Sequence, residues 1–198
     1  MLIAVSCIAY SCRQRSHSAD TSDQPAINKV KGTDDTNKTT RPDQLIIPGK
    51  SIGKIVLNGN ADSAVDLLGK PDFSDAAMGS VLITWYVKHD TAGYKTSIFA
   101  NHNFGAKDDS VARIRKILVT SPDFKTAEGL NTGLPLSEYQ KHYDLKQVSA
   151  YTAKGQKILV YEAKNKGIAF EVNPASNRGA AIVVYKPGDT PATYINMH

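Results

Sequence analysis

Two sets of short β-patterned runs, cut apart by glycine turns, constrain this chain more than any other feature. The first set is Val81–Val87 (VLITWYV), Tyr94–Phe104 and Val111–Val119 (VARIRKILV), with Gly79, Gly93 and Gly105-Ala106-Lys107-Asp108-Asp109 supplying the turns. The second is Gln147–Thr152, Lys157–Ala163, Lys166–Val172 and Gly179–Lys186, turned at Lys154-Gly155, Asn165-Lys166-Gly167 and Asn173-Pro174 through Gly179. Turns this short can only join antiparallel neighbours, because a parallel pair needs a helical crossover between its strands. The alternating strand–helix rhythm of a parallel sheet is missing from both sets.

One short helix introduces each set. Asn60–Leu68 follows Ile52-Gly53-Lys54-Ile55-Val56-Leu57-Asn58-Gly59, with Asn60 as N-cap, Gly69 as stop and Pro71 beyond it. Ala64, Val65, Leu67 and Leu68 would face the core. The second set opens with Glu128-Gly129-Leu130-Asn131-Thr132-Gly133, and Pro135 suits the first turn of a helix running to about Tyr143. The predicted class is therefore α+β: two tandem modules, residues 44–122 and 123–198, each a short helical segment packed on an antiparallel β-meander sheet. The tail Pro187–His198 reads as a strap or loose end.

The front of the chain speaks to location. Leu2–Tyr10 (LIAVSCIAY) is apolar but too short to span a bilayer, which takes about 20 residues. It fits the apolar region of a secretory signal, residues 1–11. Ala9-Tyr10-Ser11-Cys12 resembles the lipobox of bacterial lipoproteins, with Ala9 in place of the more usual leucine and a bulky Tyr10. That resemblance implies cleavage before Cys12, acylation of Cys12 and residence in the cell envelope, on the outer membrane's periplasmic or surface side. Cys7 fits the local pattern about as well but would leave an apolar Ile8-Ala9-Tyr10 on the mature protein. No Lys or Arg precedes the run, which fits a start a few codons upstream or a truncated N-terminus. The plainer alternatives are an ordinary secretory signal or an apolar cytosolic terminus. Cys7 and Cys12 are the chain's two cysteines, so a folded part without disulfides must be held by its core.

Arg13–Asp43 is rich in Ser, Thr, Asp, Asn and Lys, with Ile27 and Val30 as its large apolar residues. A segment of this composition cannot offset its ordering entropy, so residues 12–43 read as a lipidated cysteine followed by a disordered linker. Such a tether would hold a domain roughly 30 Å from the membrane. The chain's net charge of +5 is scattered. It has no Lys/Arg cluster with interleaved aromatics to track a phosphate backbone, so nucleic acid is not an expected partner.

Gly59-Asn60-Ala61-Asp62-Ser63-Ala64-Val65-Asp66-Leu67-Leu68-Gly69-Lys70-Pro71-Asp72, followed by Trp85-Tyr86, resembles a pattern of Gly, helix, Leu-Gly-x-Pro and a strand with an aromatic pair. That pattern belongs to the module shared by the outer-membrane assembly lipoprotein BamE and the tandem β-lactamase inhibitor protein BLIP. Gly129, Gly133 and Tyr143-Asp144 repeat it more loosely. The resemblance covers Gln44 to about Lys186 and implies a module that binds a protein partner. The inhibitor's disulfides have no counterpart here.

Motifs for chemistry are sparse. Pro48-Gly49-Lys50-Ser51 ends like a phosphate loop, but Gln44 stands where the loop's first glycine belongs. His17, His89, His102, His142 and His198 lack metal-ligand spacing, and Asp108-Asp109 lacks the alternating oxygens of a calcium loop. No serine sits in a nucleophile elbow. No catalysis, metal or cofactor is expected. If Val81, Ile83, Trp85 and Val87 point inward, Leu82, Thr84 and Tyr86 point outward. With Ala112, Ile114 and Leu118 inner, Arg113 and Arg115 are outer, and Tyr161 and Tyr185 are candidates for the same surface. Tyr and Arg are enriched at interface hot spots, so Tyr86, Arg113, Arg115, Tyr161 and Tyr185 form the candidate protein-binding face. The plain alternative is that the tyrosines complete the core and the arginines are solvated. Competing functions are an inhibitor of an extracytoplasmic enzyme, a carrier with an apolar cavity between the units, and a small envelope hydrolase built around His102.

Overall fold

Ile117-Leu118-Val119 and Ile182-Val183-Val184 are apolar on both faces, and all six are at most 3% exposed. Strands of this kind belong in the middle of a sheet, where both faces are covered and both edges are paired. The computed structural model describes residues 41–105 and 107–189. The export segment, Cys12, nearly all of the predicted linker and the end of the tail lie outside them.

In chain order the elements are β1 (Leu45–Ile47), β2 (Ser51–Ile52), β3 (Ile55–Val56), α1 (Ala61–Leu68), β4 (Phe73–Ala77), β5 (Ser80–Tyr86), β6 (Lys95–His102) and β7 (Ala112–Val119). Then follow β8 (Lys125–Thr126), α2 (Leu136–Gln140), β9 (Lys146–Ala153), β10 (Gln156–Ala163), β11 (Ile168–Asn173) and β12 (Arg178–Tyr185). Eight of the strands form one sheet in the order β4-β5-β6-β7-β12-β11-β10-β9, antiparallel throughout. A small second sheet runs β3-β2-β1-β8 and contains a parallel pair, β1 with β8.

The expected pair of helix-plus-meander modules is thus corrected. The protein is predominantly β, and its two meanders are fused through β7 and β12, where Val119 pairs with Ile182 and Leu118 with Val183. Kept apart, each meander would present an apolar run, Ile117–Val119 or Ile182–Val184, on an open edge; joining them pairs the backbone and buries the side chains at once. Helix contributes little. Only α1 and α2 are α-helical among the described residues, and α2 stops at Gln140 instead of reaching Tyr143.

One face of the large sheet carries the main core. Ile83, Trp85, Ile98, Ile117, Phe170, Ile182 and Val184 pack there with Ile46 and Ile52 of the small sheet, Ala61 and Ala64 of α1, and Tyr139 of α2. Each large side chain so buried contributes about 1.5–3 kcal/mol. Tyr139 stacks on Phe170 at 4.2 Å between ring centres, and its hydroxyl donates to the Asn131 carbonyl at 2.7 Å. Gly179 lies against that ring, where a Cβ would collide with the tyrosine hydroxyl. Asn60 caps α1 by accepting from the Asp62 N–H at 3.0 Å. At the other end Trp85 Nε1 donates to the Gly69 carbonyl at 2.8 Å, tying the helix to β5.

Three bulges bend the sheet. Register shifts leave Arg115 in β7, Val148 in β9 and Ala180 in β12 as extra residues. Each insertion increases the local twist and kinks its strand.

Candidate functional site

The opposite face of the sheet holds the site. Its side chains fall in rows fixed by the pairing register. One row runs Tyr86, Lys95, Thr120, Ala181, Glu171, because Tyr86 pairs with Lys95, the Thr120 N–H bonds the Lys95 carbonyl, and Ala181 pairs with Glu171. The next row holds Thr84 and Ser97, hydroxyl to hydroxyl at 2.8 Å and both buried, beside Leu118, Val183 and Ala169. Leu82, Phe99, Leu118, Val160, Ala169, Ala181, Val183 and Tyr185 make this face a second apolar cluster.

Five strand spacings of about 4.8 Å separate β6 from β9 in a flat sheet, or roughly 24 Å. The β5–β6 connection and the β9–β10 turn nevertheless meet. Lys154, in the β9–β10 turn, donates from Nζ to the Thr91 carbonyl in the β5–β6 connection at 3.5 Å. The bulged sheet therefore curls, and a cleft of about 810 Å³ lies on this face between these two connections. Tyr86, Tyr94 and Lys95 line it from one side, Tyr151 and Lys154 from the other, and Glu171 from the sheet between them. This volume falls in the range of ligand pockets, about 300–1,000 Å³.

The rims are held by specific contacts. Lys88 and His89, in the β5–β6 connection, sit at φ +58° and +59°, a conformation that costs non-glycine residues energy. Asp72 secures that segment, accepting from the Tyr86 N–H at 2.6 Å and pairing with His89 Nδ1 at 2.7 Å. The Tyr86 N–H, with help from His89, holds the Asp72 carboxyl below its ordinary range. Across the cleft the Tyr151 hydroxyl donates to Glu171 Oε2 at 2.8 Å. Burial first, then the Glu171 charge and this bond, raise the Tyr151 phenol well above its ordinary value, so it stays a donor. Burial also lowers the Lys95 ammonium; the Glu171 charge opposes the shift and the Lys154 charge adds to it. Lys116, next along β7 on this face and 3% exposed, is pulled down to about 8 by burial, with Asp189 and Glu171 opposing.

The predicted face is only partly assembled. Tyr86 lines the cleft. Tyr185 is on the same face but 0% exposed, its hydroxyl donating to Glu162 Oε2 at 3.1 Å. Arg113 stands at the far end of β7, its Nε bonded to Asp108 at 2.9 Å and its Nη1 to the Asn58 carbonyl at 3.4 Å. Arg115 is the half-buried bulge residue. Tyr161 packs on the main-core side, opposite Phe170. Lys95, Tyr94, Tyr151 and Lys154 were not singled out from the sequence, and Glu171 was read there, with Glu162, as a carboxylate in cross-strand charge pairing with Lys. The alternation of Lys95, Ser97, Phe99 and Asn101 against Ile98 and Ala100 in β6 was the available signal.

His102 lies away from the cleft, with Nδ1 2.9 Å from the Asp109 carbonyl and its ring stacked near Phe104. Among the described residues no group of three or more His, Cys, Asp or Glu is placed to hold a metal ion.

No family model matches the chain, and no curated protein matches it. Two solved structures are similar to it. A cysteine-rich secretory protein from Staphylococcus aureus is 11% identical, with a TM-score of 0.44 over 72% of this chain and 48% of that one. The uncharacterized protein yfeY from Escherichia coli is 14% identical, with a TM-score of 0.46 over 71% of this chain and 99% of that one. The chain spans about half the length of the staphylococcal protein. Both TM-scores are too low for either likeness to carry an argument about fold or function.

Proposed function

We propose that this chain is a non-catalytic binding protein of the cell envelope that holds a protein partner in the cleft on its curved sheet. The observation that carries the reading is the convergence of Tyr86, Tyr94 and Tyr151 with Lys95 and Lys154 on one concave surface built from both meanders of the sheet. Tyrosine offers a large, rigid contact area with a polar tip, and it recurs where interfaces concentrate their binding energy. The resemblance of residues 59–72 and Trp85-Tyr86 to the assembly and inhibitor proteins supports the same reading. In this proposal Cys12 carries a lipid, residues 13–43 are the tether, and the protein works stoichiometrically on the outer membrane.

Site-specific photocrosslinking in native envelopes tests it. A crosslinker replacing Tyr94, 49% exposed at the cleft, should trap one discrete protein, and one replacing Val56, 45% exposed on the small sheet, should not. Equal trapping from both positions, or none from Tyr94, would overturn the reading.

A further inference from the structure

We infer that a lysine corner, at the other end of β11 and β12 from the cleft, rests on an anionic lipid surface. This draws on the envelope reading above for the presence of a membrane and is independent of what the cleft holds. Three connections meet at the corner: the β1–β2 turn, the β10–β11 connection and the segment that follows β12. The Gly49 N–H donates to the Gly167 carbonyl at 3.2 Å, and the Gly188 N–H to the Lys164 carbonyl at 3.0 Å. Two glycines permit this approach, since a Cβ on Gly49 would strike Pro187 and one on Gly167 the Tyr185 carbonyl. Lys50, Lys164, Lys166 and Lys186 all lie at or beside these contacts, and all four are exposed. Charges scattered along the sequence are thus gathered by the fold. None of the four has a carboxylate within ion-pair reach among the described residues. Asp189, which follows in the chain, is half-buried, and its charge acts on Lys116 and Tyr185. Lys146 adds a fifth ammonium beside Lys164 and Lys166, in a hollow whose acids are Asp144 and the buried Glu162.

The apolar residues at the corner select a membrane among anionic surfaces. Ile47, 36% exposed, and the exposed Pro187 stand among the lysines. An apolar tip ringed by ammonium groups matches the boundary between acyl chains and anionic headgroups, where lysines reach the phosphates and apolar side chains enter between them. A soluble polyanion would use the charge and leave Ile47 in water. Docking this corner leaves the cleft open. Its Ala181 and Glu171, paired with each other, lie five residues along the strands from Lys186 and Lys166, roughly 16 Å away.

Co-sedimentation with vesicles tests it, using the full-length protein with Cys7 and Cys12 changed to Ser so that no acyl chain contributes. The vesicles are phosphatidylcholine alone, or equal parts phosphatidylcholine and phosphatidylglycerol. More protein should partition onto the anionic vesicles, and the excess should shrink as salt is raised. In a variant with Lys50→Glu, Lys166→Glu and Lys186→Glu that excess should fall about tenfold or more. A variant of identical net charge, with Lys70→Glu, Lys107→Glu and Lys157→Glu at exposed positions elsewhere, should retain most of it. Equal partition onto the two vesicle types, or equal losses in the two variants, would overturn the proposal. So would a crosslinker replacing Lys166 that traps one discrete protein in native envelopes, which would give the corner to a protein. The cleft reading falls separately, if the Tyr94 crosslinker traps nothing.

Discussion

Val119 and Ile182 stand directly opposite one another at the middle of the large sheet, each 0% exposed, and through that pair the two meanders become one structure. Removing the Ile182 side chain to Ala should cost about 3 kcal/mol, as deletions of buried Ile do. Because the seam is shared, the loss should appear as one cooperative transition. Urea unfolding followed by fluorescence of Trp85 in the first meander, and by far-ultraviolet circular dichroism of the whole, should give coincident midpoints that shift together. Two separate transitions would mean that the meanders fold independently.

Gly179→Ala should destabilise the protein without touching the cleft. Its Cβ would strike Tyr139, whose ring stacks on Phe170, so α2 must shift or the stack must open. Forcing an extra methyl into a packed site costs about 1–3 kcal/mol. The thermal midpoint should fall, and the double variant with Tyr139→Leu should recover part of the loss.

Tyr151→Phe keeps the ring and removes one donor from the buried Glu171 carboxylate. Leaving a buried acceptor short of a partner costs about 1–3 kcal/mol. Glu171→Gln in the same background should recover some of it, since a neutral amide needs that donor less than a carboxylate does. A double-mutant cycle read by urea midpoints checks the coupling.

Lys116 sets a pH dependence. Its folded value of about 8 lies below the ordinary 10.5 because burial disfavours the charged form. Below about pH 8 both folded and unfolded chains hold the proton, and the cost of the buried charge is present in full. Between the two values the unfolded chain holds more proton, so stability rises with pH. The urea midpoint should therefore gain between about pH 7 and pH 9.5 relative to Lys116→Met, in which this contribution is missing. Nearer the ordinary tyrosine value of 10 the trend reverses. Tyr139 and Tyr143, raised to about 12 by burial, keep their protons in the folded state after the unfolded chain has lost them.

Much of the secondary structure was legible in the residues. The Asn60 cap and Gly69 stop of α1 and the seven longer β runs carry strong local signals, and the structure places elements there. What was not legible depends on pairing. β4 reads Phe73-Ser74-Asp75-Ala76-Ala77, too small and polar to look like a strand, and it forms as an exposed edge by pairing with β5 through a tight Met78-Gly79 turn. The strands of the small sheet are two or three residues long, too short for any period to show. The bulge at Arg115 puts Leu118 on the opposite face from Ile114, which the plain alternation had kept together. Tyr161 and Tyr185 were placed on one face by type alone, and register puts them on opposite faces. The fusion of the meanders left a trace: Ile117-Leu118-Val119 and Ala181-Ile182-Val183-Val184 lack the polar alternation of strands with one solvated face. Of the cleft only the alternation in β6 left a local signal, since Lys95 and Lys154 line one surface only when the whole sheet curls.

That curl is what the account stands on, and one distance tests it. Spin labels at Ala92 and Lys154, in a chain with Cys7 and Cys12 changed to Ser, report how far apart the two rims are. The account predicts a short, narrow distance distribution, because Lys154 reaches the Thr91 carbonyl. A distribution centred at or beyond the roughly 24 Å of a flat sheet would contradict it, leaving no cleft for a partner to occupy.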